Sequence, residues 1–245
     1  MTGKATLKAT IKTLTDELKA DSVELQGDAS MIEQLKKTIL DLNGQIPVHD
    51  PLETFWNTKR PATNTYTYPA RADPANTGVN IQMDVRFFFE NQDSMLPLQV
   101  STSHDDIALK SLQWVINNIQ YVSDISQYKA QEEWAFCAET LYNRKGDCED
   151  GAILLANMMV KAGIPKFRVR LNAGDVWDGS GNIINKSKVG HCWVTYLKEA
   201  DNQWYVLDWC YFQGVTLWKT AEKYFDIWFS FSADNIYAAD MLDKP

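Results

Sequence analysis

Residues 144–165 read RKGDCEDGAILLANMMVKAGIP, and this stretch decides the predicted fold. A polar turn leads into an apolar run that ends at Gly163, with Pro165 just beyond it. Glycine followed by proline is a strong stop signal, so we predict a helix over residues 148–162. Cys148 is then its first residue, where unpaired N–H groups and a partial positive charge favour a thiolate and could hold a developing oxyanion.

The residues beside Cys148 are acidic and complicate this activation. Asp147, Glu149 and Asp150 carry like charge, which raises the pKa of a thiol. Acidic residues in a first turn are also ordinary capping chemistry, and Asp147 is suited to the N-cap position. A nearby imidazolium is therefore expected to supply the rest of the activation. The chain has three histidines: His49, His104 and His191.

Two later stretches predict a hairpin that selects among the histidines. They are VGHCWVTYL at 189–197 and WYVLDWCY at 204–211, and we predict strands over 189–197 and about 202–210. Alternation places His191 and Trp193 on one face of the first strand.

A four-residue turn at 198–201 pairs residue 197 with 202 and places His191 opposite Asp208. Directly opposed side chains lie about 4.5–5.5 Å apart at Cβ, close enough for a carboxylate to hydrogen-bond an imidazole. That carboxylate would fix the tautomer and stabilise the imidazolium. We predict Cys148 as nucleophile, His191 as its base and Asp208 as the residue that orients the base.

The three motifs, in the order Cys, His, Asp, resemble the core of the transglutaminase-like superfamily. The upstream stretch EEWAFCAETLYNRKGDCED at 132–150 looks most like the bacterial transglutaminase-like cysteine proteinases. The resemblance covers roughly residues 105–212. It implies a papain-like α+β fold, with the cysteine helix packed on an antiparallel sheet. It also implies attack of a thiolate on a carbonyl carbon through a thioester acyl-enzyme, without a cofactor.

The resemblance extends to a few further positions. Trp134 and Glu139 match a family segment that lines or supports the site. Trp134 is therefore predicted to contact the substrate or the oxyanion, and the same is predicted for Trp193. Gly151 stands where many relatives have an aromatic residue, a difference that bears on access to the thiol. The sequence shows no calcium ligand loop. For the other cysteines, Cys137, Cys192 and Cys210, a buried structural role is expected, and their spacing argues against zinc.

We divide the chain into a helical arm at 1–45, a Pro-rich linker at 46–78 and a catalytic domain at 79–245. Apolar residues between positions 4 and 43 follow a heptad pattern, which predicts either a coiled coil that self-associates or docks on a helical partner, or a helix packed on its own domain. Further elements are predicted as a strand at 79–89 and helices at 105–119 and 130–143. The aromatic residues Tyr224, Phe225, Trp228, Phe229 and Phe231 are interpreted as core or subunit contact.

Composition excludes several functions. The net charge of −8 and the lack of a basic stripe argue against nucleic-acid binding. No apolar run approaches the roughly 18 residues of a membrane span, and the N-terminus shows no secretory signal, so a cytoplasmic location with reduced thiols is expected.

The leading functional hypothesis is a cysteine hydrolase of peptide or isopeptide bonds, with a protein or peptide substrate. One alternative is acyl transfer to an amine, which would crosslink proteins. Another is an assembly protein that uses the arm for oligomerisation, such as a component of a phage particle assembled in a bacterial host.

Overall fold

The structure is a computed structural model that describes residues 6–16, 34–39, 52–53, 55, 67–72, 80–89, 96–177 and 187–238. Within these residues the main sheet has six antiparallel strands: β5 (Val169–Trp177), β6 (Lys188–Leu197), β7 (Trp204–Asp208), β8 (Gly214–Leu217), β9 (Tyr224–Phe231) and β10 (Ile236–Ala238). Their order in space is β10-β9-β5-β6-β7-β8, and β3 (Gln120–Tyr121) and β4 (Lys145–Gly146) form a separate parallel pair. The predicted α+β class is confirmed, although the last three strands lie beyond those predicted.

Four helices precede or cross this sheet among the described residues from 96 onward: α1 (His104–Asn118), α2 (Asp124–Gln127), α3 (Cys137–Asn143) and α4 (Cys148–Lys161). The predictions for α1 and α4 are confirmed to within one residue. Helix α4 is apolar on nearly all sides because it packs between the sheet, α1 and α3. A buried polar residue in its middle, Asn157, donates to the carbonyls of Phe88 (2.7 Å) and Ile153 (2.9 Å).

Each face of the sheet has its own core. The helix-side core lies between the sheet and α4 and includes Cys192 and Val194 of β6. The aromatic core, on the other face, includes Trp193 and consists of Phe167, Val176, Trp193, Leu197, Trp204, Val206, Trp218, Ala221 and Tyr224. This division confirms the predicted alternation along β6.

The predicted strand at 79–89 is only half correct. Strand β2 (Ile81–Asp84) pairs with β1 (Thr67–Arg71), but Val85–Phe89 forms a 3₁₀ helix. Phe88 and Phe89 are both buried in the helix-side core. A regular strand would send these consecutive side chains to opposite faces, so one of them would lose its apolar contacts.

Residues 67–71, inside the predicted linker, belong to the folded structure. Ala70 is fully buried, and its carbonyl accepts from the backbone N–H of Trp134 (2.7 Å). The Arg71 guanidinium binds Glu133 and Glu139, which joins β1 to the segment before α3.

The predicted helix at 130–143 is shorter than expected, because α3 starts only at Cys137. The backbone N–H of Glu133 donates to the carboxylate of Asp124, and that of Ala135 donates to Asp150 Oδ1 (2.6 Å). Side-chain acceptors therefore take the N–H groups that a helix would need for its own turns.

The predicted helical arm is described only in part. Residues 6–16 and 34–39 are helical, and the stretch between them lies outside the described residues. Ile11 and Ile39 are already buried in a single chain, which favours packing of the arm on its own chain over a coiled coil. The heptad coiled coil is not confirmed. None of the helices in the described part of the chain has the length and apolar character required to cross a bilayer.

Candidate active site

Cys148 is the first residue of α4, as predicted. Asp147 is the N-cap, and its backbone N–H donates to Asp150 Oδ2 (3.3 Å). The Cys148 side chain packs against the helix-side core, and its Sγ donates to Glu149 Oε2 at 3.2 Å. Burial, together with the charges of Glu149 and Asp147, raises the pKa of the Cys148 thiol well above its ordinary value. Burial first, and the acidic neighbours second, therefore outweigh the helix end and favour the neutral thiol of Cys148.

The side chains of His191 and Asp208 form a buried pair. His191 Nε2 lies 2.8 Å from Asp208 Oδ2, and both side chains are almost completely inaccessible. Asp208 also accepts from the backbone N–H groups of Cys210 (3.0 Å) and Tyr211 (3.1 Å) and from the Tyr224 hydroxyl (2.8 Å). Burial opposes ionisation of Asp208, but His191 and these donors hold its pKa below the usual value. Asp208 is therefore a carboxylate.

The register that brings the pair together differs from the predicted one. Strands β6 and β7 pair Val194 with Leu207 and Leu197 with Trp204, two residues away from the predicted alignment, because the turn is longer. A slip of two residues keeps every side chain on its face. His191 and Asp208 therefore meet as diagonal neighbours. The predicted contact forms, but the prediction of directly opposed positions is wrong.

Cys148 does not join this pair through a hydrogen bond. Among the described residues, the buried Nδ1 of His191 has no hydrogen-bond partner, and the Cys148 thiol is directed at Glu149. The His191 ring contacts Tyr211 edge-on (4.6 Å between centroids) and stacks at 5.9 Å on Trp193. The structure thus unites two of the three predicted catalytic residues, and the assignment of Cys148 as their nucleophile stays a prediction.

Three aromatic residues that the sequence analysis did not assign to the site hold it together. Tyr224 and Tyr211 contact Asp208 and His191 as described above, and Trp209 Nε1 donates to the carbonyl of Cys148 (2.9 Å). The Trp209 ring also lies against Gly151, where an added Cβ would be 2.1 Å from it. The glycine at position 151 was the sequence signal for this contact. The aromatic ring beside it belongs to Trp209, after β7, and not to the helix itself.

The two tryptophans predicted as substrate or oxyanion contacts are buried. Trp134 packs among aromatic rings of the helix-side core, and its Nε1 donates to Glu132 Oε1 (2.7 Å). Trp193 lies in the aromatic core beneath His191. Neither presents an accessible face to a substrate, so the prediction of substrate contact is wrong for this structure, and both tryptophans support the site from within the cores. Glu139 binds Arg71 through both oxygens (2.8 and 3.0 Å) and is likewise structural.

Carboxylates gather beneath the start of α4. Asp124, Asp147 and Asp150 each offer an oxygen within 4.8 Å of the others, and Asp124 Oδ1 and Asp147 Oδ1 have no hydrogen-bond partner in the described part of the chain. Burial and the charge of Asp147 raise the pKa of Asp124 to about 7. An all-oxygen set of this kind suits a hard cation such as Ca²⁺. No single loop contains it, which explains why the sequence did not reveal it.

The other three cysteines are free thiols. Cys137 and Cys192 are buried as expected for structural residues, whereas Cys210 is half-buried and lies within 4.8 Å of His191 and Asp208. Two further groups have ligand atoms that could meet at a cation: His191 with Asp208 and Cys210, and Asp147 with Cys148 and Glu149. In the group of His191, Asp208 and Cys210, the ligand atoms of His191 and Asp208 already hydrogen-bond each other.

Comparisons with known proteins give a family match and several similar solved structures. A family model described as the transglutaminase-like superfamily matches residues 97–209, which include Cys148, His191 and Asp208. No curated protein matches the chain.

Among solved structures, calcium-bound LapG of Legionella pneumophila is similar at 19% identity, over 55% of this chain and 69% of that one, with a TM-score of 0.44. The EGTA-treated form of LapG gives 18% identity, 54% and 65% coverage and a TM-score of 0.42. A putative protease from Parabacteroides distasonis gives 13% identity over 57% of this chain and 25% of that one, with a TM-score of 0.33. Residues 97–209, a little under half of the chain, are thus similar to the transglutaminase-like superfamily.

Proposed function

We propose that this protein is a cysteine hydrolase of amide bonds, peptide or isopeptide, in which Cys148 attacks and His191 and Asp208 assist. One observation carries the proposal: a buried imidazole is fixed by a carboxylate at Nε2, while its Nδ1 has no hydrogen-bond partner in the part of the chain that the structure describes. A structural histidine in a core normally has both nitrogens satisfied. An imidazole held in this way is suited to accept a proton from a nucleophile.

Catalysis requires the Cys148 side chain to turn from Glu149 towards His191. With the Nε2 proton donated to Asp208, Nδ1 accepts the thiol proton, and the thiolate attacks the substrate carbonyl. Backbone N–H groups at the start of α4 would stabilise the oxyanion. The tetrahedral intermediate collapses as His191 gives its proton to the leaving amine, which leaves a thioester on Cys148. A water molecule then gives a proton to His191 and attacks the thioester, releasing the acid and restoring the thiol.

The carboxylates around α4 resist formation of the thiolate and must be neutralised or screened. Asp124, Asp147 and Asp150 would hold a divalent cation such as Ca²⁺, and its charge would oppose the effect of Asp147 on the thiol. The described LapG structure is calcium-bound, a property of that protein. Protonation of the same carboxylates would have a similar electrostatic effect.

A second candidate function is an assembly protein that keeps the fold without the chemistry. The raised pKa of the Cys148 thiol and its hydrogen bond to Glu149 favour this alternative. The predicted oligomerisation or helical docking through residues 4–43, and a role in a phage particle, belong to this candidate. Acyl transfer to an amine remains a variant of the first candidate, because it differs only in what resolves the thioester.

The pH dependence of alkylation at each cysteine, mapped by peptide mass spectrometry in wild type and His191→Ala, tests the proposal. When Cys148 turns to His191 and the carboxylates are neutralised or screened as proposed, it should label fastest of the four, below the free-thiol pKa of about 8.5, and should slow in His191→Ala. The other three cysteines are internal controls. If Cys148 labels only at high pH and ignores His191, the assembly role is supported and hydrolysis is overturned. Product masses from peptides in water with and without an added amine then separate hydrolysis from transfer.

A further inference from the structure

Trp228 is exposed although it lies within a strand of the main sheet. Its strand, β9, pairs regularly with β5 up to the pair Phe229–Ala173, and the next pair is Ile227–Gly174. Trp228 therefore has no partner on β5 and occupies a β-bulge. Bulges redirect a side chain at the cost of local pairing and are frequent next to active sites. This one leaves Trp228 40% exposed.

Two glycines on the neighbouring strands make this arrangement possible. An added Cβ at Gly174 would lie 2.1 Å from the carbonyl oxygen of Asp226, so a side chain there would push the bulged strand away. At Gly190 the nearest atom to an added Cβ would be Trp228 Cη2 at 3.1 Å, so the indole lies over this glycine. Gly174 pairs with His191, and Gly190 precedes it. Glycine within a strand often marks a place where a ligand or another backbone approaches closely.

The face on which Trp228 lies follows from the alternation along β6. A side chain at position 190 would point the same way as Cys192, towards the helix-side core. This is the face on which α4 packs, with Cys148 at its first turn. Cys192 lies close enough to Cys148 to influence its thiol electrostatically. Trp228 thus lies on the face of Cys148, next to the strand position of His191, whose side chain points to the other face with Trp193.

We infer that Trp228 is a specificity-determining residue whose exposed ring binds a large apolar or aromatic side chain of the peptide substrate, close to the scissile bond. The inference rests on the proposed amide hydrolysis. An indole offers a broad apolar surface that gains free energy when a second apolar group covers it. A charged substrate side chain in the same place would lose water without gaining a hydrogen bond from the ring face.

The test compares cleavage of a mixture of synthetic peptides of diverse sequence by wild type, Trp228→Ala and Trp228→Phe. Mass spectrometry gives the cleavage positions, and KM and kcat are then measured for the best peptide. We expect wild type to favour large apolar residues at one position near the cleaved bond. Trp228→Ala should lose this preference and raise KM about tenfold with little change in kcat, because an apolar subsite contributes this much discrimination. Trp228→Phe should keep most of the preference.

Two controls separate specificity from damage to the site. Tyr142→Ala removes an aromatic ring that is 87% exposed on α3, and its cleavage profile should equal that of wild type. Labelling of Cys148 by iodoacetamide should be the same in all variants, since this small reagent does not need the subsite.

An unchanged profile in Trp228→Ala overturns the inference and leaves hydrolysis standing. Loss of iodoacetamide labelling in Trp228→Ala also overturns it, because the residue then maintains the site itself. If wild type cleaves no peptide while Cys148 labels readily, the proposed hydrolysis fails, and the subsite fails with it.

Discussion

His191 and Asp208 meet diagonally across β6 and β7, with Nε2 2.8 Å from Oδ2 and both side chains withdrawn from solvent. Asp208 hydrogen-bonds one nitrogen of the imidazole, and contacts with the rings of Trp193 and Tyr211 fix the plane of the imidazole. The other nitrogen, Nδ1, is buried without a hydrogen-bond partner among the described residues. The ring is thus held in one orientation, which is the preorganisation that the general base of the proposed hydrolysis would require.

Replacing Asp208 should reduce stability strongly. Asp208→Ala leaves His191 without its partner and removes the acceptor for Tyr224 and for two backbone N–H groups, so we expect a loss of about 3–5 kcal/mol in the free energy of unfolding by urea. Asp234→Ala is the control, because Asp234 forms an exposed pair with Lys166 (2.8 Å) and should cost less than about 1 kcal/mol. Equal effects of the two variants would contradict the central role of Asp208.

The same comparison should depend on pH in a defined direction. The folded protein lowers the pKa of Asp208, so the stability that its ionised form contributes is present above the unfolded pKa of about 3.9. That contribution is lost as pH falls through the lower folded pKa. Urea unfolding of wild type and Asp208→Ala should therefore converge in strong acid and differ most near neutral pH. A difference that is constant over the whole range would show that packing alone is responsible.

Glu149→Gln should make Cys148 more reactive. Glu149 accepts the hydrogen bond of the thiol, and after burial its charge is the largest influence that raises the pKa of Cys148. Burial and the charge of Asp147 raise the pKa of Glu149 itself, so the effect should grow as pH rises and Glu149 ionises. There, removing the charge lowers the pKa of Cys148, which increases the thiolate fraction and the rate of alkylation. Glu222→Gln, which changes an exposed carboxylate, is the control and should leave the rate unchanged. A slower rate in Glu149→Gln would show that Glu149 activates the thiol instead of restraining it.

The sequence predicted the elements of the site better than their mutual contacts. Helix α4 and the hairpin β6–β7 follow from strong local signals, namely the Gly-Pro stop and the alternation around His191, and both form. The face shared by His191 and Asp208 survives the error in turn length, since a slip by two residues preserves alternation.

The contacts that were missed depend on residues far apart in the chain. Trp209 packs on Gly151, Tyr224 donates to Asp208, and the carboxylate of Asp124 binds the backbone of Glu133. These contacts arise from the packing of whole elements against each other, and a local sequence pattern does not predict that packing. The acceptor at Asp124 also explains the false helix prediction at 130–136, because it captures an N–H that local propensity would assign to a helix.

Asp124→Asn should change the pH dependence of stability in the opposite direction from Asp208→Ala. The folded protein raises the pKa of Asp124 to about 7, so its neutral form contributes stability that is full below the unfolded value of about 3.9 and is lost as pH rises through about 7. Asparagine stays neutral and can still accept the hydrogen bond from Glu133. Relative to wild type, the variant should gain about 2–4 kcal/mol in unfolding free energy between acid and pH 8.

Urea unfolding across this pH range, in the presence of a chelator, checks the prediction, because a bound cation would mask the repulsion among the carboxylates. Asp234→Asn changes an exposed carboxylate, and its free energy of unfolding should vary with pH in parallel with that of wild type. If Asp124→Asn is less stable than wild type at pH 8, the buried carboxylate is stabilising there and its raised pKa does not govern stability.

Because Trp209 packs on Gly151, the substitution Gly151→Ala should destabilise the protein, although alanine is normally favoured over glycine in a helix. Alanine is favoured over glycine inside a helix by about 1 kcal/mol, so propensity alone predicts that Gly151→Ala is stabilising. The added Cβ would meet the indole of Trp209 at 2.1 Å, and overpacking of this kind costs about 1–3 kcal/mol. We therefore expect net destabilisation in urea unfolding.

A double-mutant cycle with Trp209→Phe makes the cause specific. The new Cβ would meet the Cε2, Nε1 and Cζ2 atoms of the indole, and the phenylalanine ring is smaller, so Gly151→Ala should be neutral or stabilising in that background. The same displacement of Trp209 would weaken its hydrogen bond to the Cys148 carbonyl, so alkylation of Cys148 should change in Gly151→Ala and not in a variant such as Tyr142→Ala. If Gly151→Ala stabilises the wild-type background, the indole does not occupy this space, and Trp209 does not position the start of the cysteine helix.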